Sequence, residues 1–159
     1  MKAMGIDFGL KRIGIALSDA TKFLASPYTT YHRTEEQADI EYFINLIDKE
    51  KVDEIVCGLP LNMQGQEQEI ARLTREFMAK IIEIKPIKIT FVDERLSSLM
   101  AEEMLKQTEK DWKKRKEKLD SVSASIILQE YLDKERKLKK KMNLNLFQIQ
   151  LSRFWTKIV

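Results

Sequence analysis

Apolar positions follow two periods along this chain. Residues 3–8 (AMGIDF) and 12–19 (RIGIALSD) read as strands joined by a glycine-containing turn, and the second alternates large and small side chains. Residues 23–32 (FLASPYTTYH) suit a third strand at a sheet edge, where Pro27 loses no ladder hydrogen bond. Thr34 and Gln37 have capping-box spacing, and Ile40, Phe43, Ile44 and Ile47 then form one helical face. Residues 54–59 (EIVCGL) predict a strand buried on both faces, and 60–65 a loop. Ile70, Leu73, Phe77 and Ile81 mark a second helix, which ends by Pro86. Residues 87–92 predict another buried strand, with Asp93-Glu94-Arg95 at its carboxyl end. Ser97 or Ser98 caps a helix running to about Lys106, and a last helix spans about 119–133. The order β-β-β-α-β-α-β-α-α implies an α/β fold: a mixed five-stranded sheet, antiparallel then βαβ, with helices on its faces.

The length of 159 residues without repeats predicts one domain, 1–135, followed by a basic and apolar tail, 136–159, that is disordered alone or docks elsewhere. No leader or membrane-spanning run is evident, and the single cysteine, Cys57, excludes an internal disulfide; the expectation is a cytoplasmic protein. Cys57 reads as core. His32 is the only histidine, which argues against a His-based triad, and its plain reading is an exposed strand-end side chain.

Charge is unevenly distributed. Residues 106–118 carry net +4 and residues 134–159 net +7, so the remainder of this +3 chain is acidic. Clustered Lys and Arg beside an acidic body point to a polyanionic partner such as nucleic acid, against the plainer reading of solvated helices. Trp112, inside the first basic segment, is placed either to stack on a base or to anchor a loop.

Acids from three elements stand where a metal site is expected. Asp7 ends the first strand and Asp93 and Glu94 end the last, the carboxyl edge where open α/β sheets place their sites. Strand parity separates the pair, Asp93 falling with Ile89 and Phe91, and Glu94 with Thr90 and Val92. Asp120 stands at the beginning of the final helix among small residues, Ser121, Ser123, Ala124 and Ser125, that allow close approach to the sheet. Each acid alone also reads as a cap or an ion-pair partner. Together they repel one another unless a cation intervenes, and Mg²⁺ or Mn²⁺ suits an all-oxygen site and two-metal phosphodiester hydrolysis.

Four segments, GIDFGLKRIGIALSD at 5–19, GLPLNMQGQ at 58–66, VDERLSS at 92–98 and KKRKEKLDSVSASIILQEYL at 113–132, resemble the YqgF/RuvX family in order and spacing. The resemblance implies a ribonuclease H-like fold and a metal-dependent endonuclease that matures the 5′ end of pre-16S rRNA, or, on older descriptions, a Holliday junction resolvase. It implies Asp7, Glu94 and Asp120 as catalytic and metal-binding carboxylates. Arg12, Asn62, Arg95, Lys113, Lys114 and Arg115 are then nucleic-acid contacts, and Asp93 orients Arg95 or a metal-bound water. The implied partners are structured RNA or branched DNA and a pre-ribosomal particle, with no membrane, and the chain is a monomer or homodimer. The alternative from another class is a non-catalytic assembly factor that binds nucleic acid. The actin-like ATPases also open on an Asp-x-Gly hairpin but need a second lobe that this chain lacks.

Overall fold

The computed structural model describes residues 1–65, 67–94 and 97–158. Five strands, β1 (Lys2–Phe8), β2 (Arg12–Ser18), β3 (Ala25–His32), β4 (Val52–Leu59) and β5 (Lys88–Asp93), form one sheet of order β3-β2-β1-β4-β5. β1–β2 and β2–β3 are antiparallel, and β1–β4 and β4–β5 parallel. Pro27 lies on the edge strand β3, beside a register shift between Ile15 and Ala16. The helices are α1 (Glu36–Glu50), α2 (Glu69–Ile84), α3 (Ser97–Thr108) and α4 (Trp112–Ile158). This is the mixed sheet expected from the periodicity.

Side-chain size divides the two faces. Large residues of β1, β2 and β4 (Met4, Ile6, Phe8, Ile13, Ile15, Ile55) pack with Phe43 and Ile47 of α1 and Phe77 and Ile81 of α2. The other face carries Ala3, Ala16 and Val56 against Ala124, Ile127 and Leu128 of α4. Small residues there let α4 lie almost on the backbone. A Cβ at Gly14 would overlap the main-chain carbonyl of Asp120. The alternation of large and small residues in β2 thus decides how close α4 comes to the sheet.

Several local expectations are corrected. α4 starts at Trp112, not near residue 119, so residues 112–118 of the basic segment are helical and Asp120 sits two turns inside the helix. Asp111 opens it, accepting from the Lys113 N–H at 2.9 Å. The Thr34/Gln37 capping box does not form, since Glu35 takes the N-cap position without a side-chain bond. Asp39 takes the nearby donors instead: wholly buried, it accepts from Tyr31 Oη (3.0 Å), Arg33 Nε (2.8 Å) and the Thr34 N–H (2.9 Å). Arg33 also lies over the Phe8 ring at 4.8 Å and reaches the Gly9 carbonyl, which ties down the turn after Asp7. β5 is only half-buried because it is the other edge strand. The Ser97/Ser98 cap falls outside the described side chains.

The tail continues α4 as helix to Ile158. Arg136 ties its start to the body, its guanidinium lying 4.0 Å from the Phe23 ring centroid. Beyond it Leu138, Met142, Leu144, Leu146, Phe147 and Ile149 are exposed. No helix of the described residues is long and apolar enough to cross a membrane.

Candidate active site

β1 and β5 flank β4 and run parallel to it, so Asp7 and Glu94 reach the same sheet edge from either side of one strand. The Glu94 N–H donates to the Leu59 carbonyl at 3.3 Å and carries the β4–β5 ladder one step past β5. This holds Glu94 on the face of Val92, which pairs with Gly58, and that is the α4 face. Gly58 has no side chain there. A Cβ would collide with the Glu94 carboxylate and stand 2.8 Å from Ile127 Cδ1. The Glu94 carboxyl therefore crosses over β4 and donates a hydrogen bond to Asp7.

α4 supplies the third side. The Ser123 hydroxyl, buried against the sheet, donates to Asp7. Asp120, one turn earlier, lies close enough for its charge to act on Asp7. Burial is the largest influence on both members of the pair. It lifts Asp7 to about 6, opposed by the Ser123 bond and reinforced by Asp120. It lifts Glu94 to about 8, reinforced by the charges of Asp7 and Asp93. At neutral pH the two carboxyls share a proton where a cation would relieve them.

Asp120 is otherwise engaged: its buried Oδ2 lies 2.9 Å from Arg12 Nε of β2. Among the described residues no three His, Cys, Asp or Glu side chains are already gathered as a metal cluster. The donor set still fits a hard divalent cation. It is all carboxylate oxygen, it comes from three rigid elements, and its closest pair is held together at the cost of a raised proton affinity.

The other residues singled out from sequence are dispersed around this edge. Asn62, after β4, accepts from the Gln64 N–H at 3.0 Å and shapes the loop. Asp93 is exposed on the opposite face of β5 from Glu94, as parity required. Lys113 and Lys114 are exposed in the first turn of α4. Arg115 instead donates to the Glu109 and Lys110 carbonyls and secures the α3–α4 connection. Arg95 lies outside the described residues. Sequence reasoning passed over Ser123 as a hydrogen-bond donor to Asp7, Gly58 as the space for Glu94, and Lys116, and it read His32 as the exposed strand-end side chain that it is. The last two line a cavity of about 260 Å³ with Arg12, Trp112 and Lys113. None of those passed over carried a sequence signal, because each depends on the register of β4 on β5 or of α4 on the sheet. Cys57 is buried, with its thiol pushed well up by burial, as a core residue should be.

Comparison with known proteins bears on the family and the fold. The family model RuvX, described as "Holliday junction resolvase", matches residues 1–134. Proteins named "Putative pre-16S rRNA nuclease" are similar along almost their whole length. One from Maridesulfovibrio salexigens is 42% identical over 132 residues, 83% of this chain and 98% of that protein. One from Sulfurihydrogenibium sp. (strain YO3AOP1) is 45% identical over 135 residues, 84% and 90% of the two chains. Among solved structures, RuvC of T. thermophilus in complex with a Holliday junction substrate aligns with a TM-score of 0.54 at 8% identity, over 80% of this chain and 91% of that one. The Fowlpox virus resolvase with substrate Holliday junction DNA gives 0.52 at 13% identity, over 84% and 98%. These two share the ribonuclease H-like fold. With the family model and the relatives covering the whole body of the fold, the chain belongs to the RuvX (YqgF) family.

Proposed function

We propose that this chain is a divalent-metal-dependent endonuclease acting on structured RNA, and that its reaction is 5′-end processing of pre-16S rRNA in the cytoplasm. The observation that carries the reading is the meeting of Asp7 and Glu94 over Gly58, with Asp120 beside them. The names of the similar proteins favour RNA as substrate. Residues 1–135 form the nuclease domain and 136–159 an appended arm.

In this reading Asp7, Glu94 and Asp120 hold Mg²⁺ or Mn²⁺. Such ions, when bound, activate the attacking water and stabilise the leaving oxygen. Asp7 and Glu94 release their shared proton on loading, and Ser123 holds Asp7 in place. Arg12 binds the scissile phosphate, and its departure from Asp120 frees that carboxylate. Arg95 contacts the phosphate and Asp93 orients Arg95 or a metal-bound water, Asn62 contacts the strand, and Lys113 and Lys114 bind the flanking backbone. Arg115 acts indirectly, by fixing the connection that carries them.

A second reading, cleavage of branched DNA, is favoured by the description of the family model. It requires a two-fold dimer to cut symmetrically. One panel separates the readings: precursor 16S RNA, single-stranded RNA and a four-way DNA junction, each with Mn²⁺ and with EDTA. Preferential, EDTA-sensitive cleavage of the precursor RNA is expected. Preferential junction cleavage transfers the assignment to DNA. Binding to all three without turnover leaves an assembly factor.

A further inference from the structure

Beside the carboxylates, on the far side of Arg12, lies the cavity of about 260 Å³ between β2, β3 and the first turns of α4. Arg12 and His32 are directly paired across β2–β3, and Thr30 Oγ1 donates to the Glu117 carbonyl at 3.0 Å. That bond clamps the helix to β3, so the walls are held by the fold. The opposite wall is Trp112, 62% exposed, with Lys113, Lys116 and one acid, Glu117. Lys113 Nζ stands 5.7 Å from the Trp112 ring centroid. The charged groups are thus mainly cationic around one accessible indole face. The volume falls just below that of pockets for drug-sized ligands and is on the scale of one nucleotide.

We propose that this cavity is a subsite for a single unpaired nucleotide next to the scissile phosphate. The base stacks on Trp112, and Lys113 and Lys116 hold the adjoining phosphate. Arg12 joins the subsite to the cleavage centre, since it lines the cavity and lies 2.9 Å from Asp120. A base within a duplex has both faces covered and reaches Trp112 only by leaving its stack. The subsite therefore selects cleavage beside an unpaired residue and disfavours a continuous duplex. The inference rests on the nuclease reading for its place in the reaction, but not for its binding chemistry.

The chain has two tryptophans, so Trp155→Phe leaves Trp112 as the sole reporter. In EDTA, where no cleavage intervenes, this variant is titrated with a single-stranded RNA of about six nucleotides, the same RNA in a duplex, and a series with one abasic position each. Quenching of Trp112 by the single strand is expected, with the duplex binding at least tenfold more weakly at this site. One abasic position should weaken binding about tenfold and the others little, as base–aromatic stacking implies. Trp112→Ala should raise KM about tenfold with kcat within threefold, and should erase the abasic effect. Absent quenching, equal quenching by the duplex, or equal sensitivity at every abasic position overturns the subsite. Quenching with the expected pattern, but no cleavage of any substrate, retains the subsite and removes the nuclease reading. Metal-dependent cleavage that ignores Trp112→Ala removes the subsite and retains the nuclease.

Discussion

Replacing Asp7 with Asn should stabilise this protein above neutral pH when metal is absent. Burial raises the folded-state proton affinity of both carboxyls, reinforced by the charge of Asp120 on Asp7 and of Asp7 on Glu94, bringing Asp7 to about 6 and Glu94 to about 8. A carboxyl raised in this way contributes most below its unfolded pKa, near 4. That contribution is lost as pH rises through the folded values. The metal-free wild type should therefore lose stability between about pH 5 and pH 9. The displacement of Asp7 alone, about two units, corresponds to about 3 kcal/mol at 1.4 kcal/mol per unit. Because the pair shares its proton, about 2 kcal/mol of this should be recovered in Asp7→Asn, whose amide can donate to Glu94 without repelling it. For a chain of this size that is roughly 4–8 °C in Tm. The assay is thermal unfolding in EDTA at pH 5 and pH 9. The variant should match wild type at pH 5 and exceed it at pH 9, and Mn²⁺ should restore wild type while leaving the variant nearly unchanged. A variant that melts below wild type at pH 9 refutes the reasoning, because Asp7 would then be held by attraction.

Other perturbations follow from the close approaches. Gly58→Ala should displace the Glu94 carboxylate, whose side chain can swing away. Stability then falls by only about 1–2 kcal/mol, while calorimetric Mn²⁺ affinity drops at least tenfold. Gly14→Ala meets the main-chain carbonyl of Asp120, which cannot move without α4. It should cost about 3 kcal/mol, read as a lower urea midpoint. Deleting residues 141–159 removes exposed side chains such as Leu144, Phe147 and Ile149, so Tm should change by less than about 2 °C. A larger fall would mean that the helical arm packs on the body.

The sheet was legible because its strands and first two helices bury apolar residues with clear periods. Parity alone put Glu94 and Asp93 on opposite faces, and the structure follows it. Residues 112–118 are nearly all charged, so no apolar period marked their helix, and Asp120 was read as a helix start instead of an interior position. The capping box failed for a tertiary reason: Asp39 draws Tyr31, Arg33 and Thr34 together from separate segments. The arm beyond Arg136 has apolar residues without a packing partner among the described residues, so its helical state could not be argued from a buried face. Asp7, Glu94 and Asp120 were each nameable from sequence and family motif. That Gly58 makes room for one and Ser123 holds another needed the register of β4 on β5 and of α4 on β1.

The central claim is that these carboxylates form a working nuclease centre. It is tested most directly by the rate of 5′ precursor cleavage of 16S RNA in Mn²⁺, comparing wild type with Asp7→Asn at protein concentrations that saturate RNA binding in both. The account predicts cleavage by wild type and a rate at least a thousandfold lower for the variant, roughly 4 kcal/mol of transition-state stabilisation, with RNA affinity within threefold. Equal cleavage by the two proteins would contradict it.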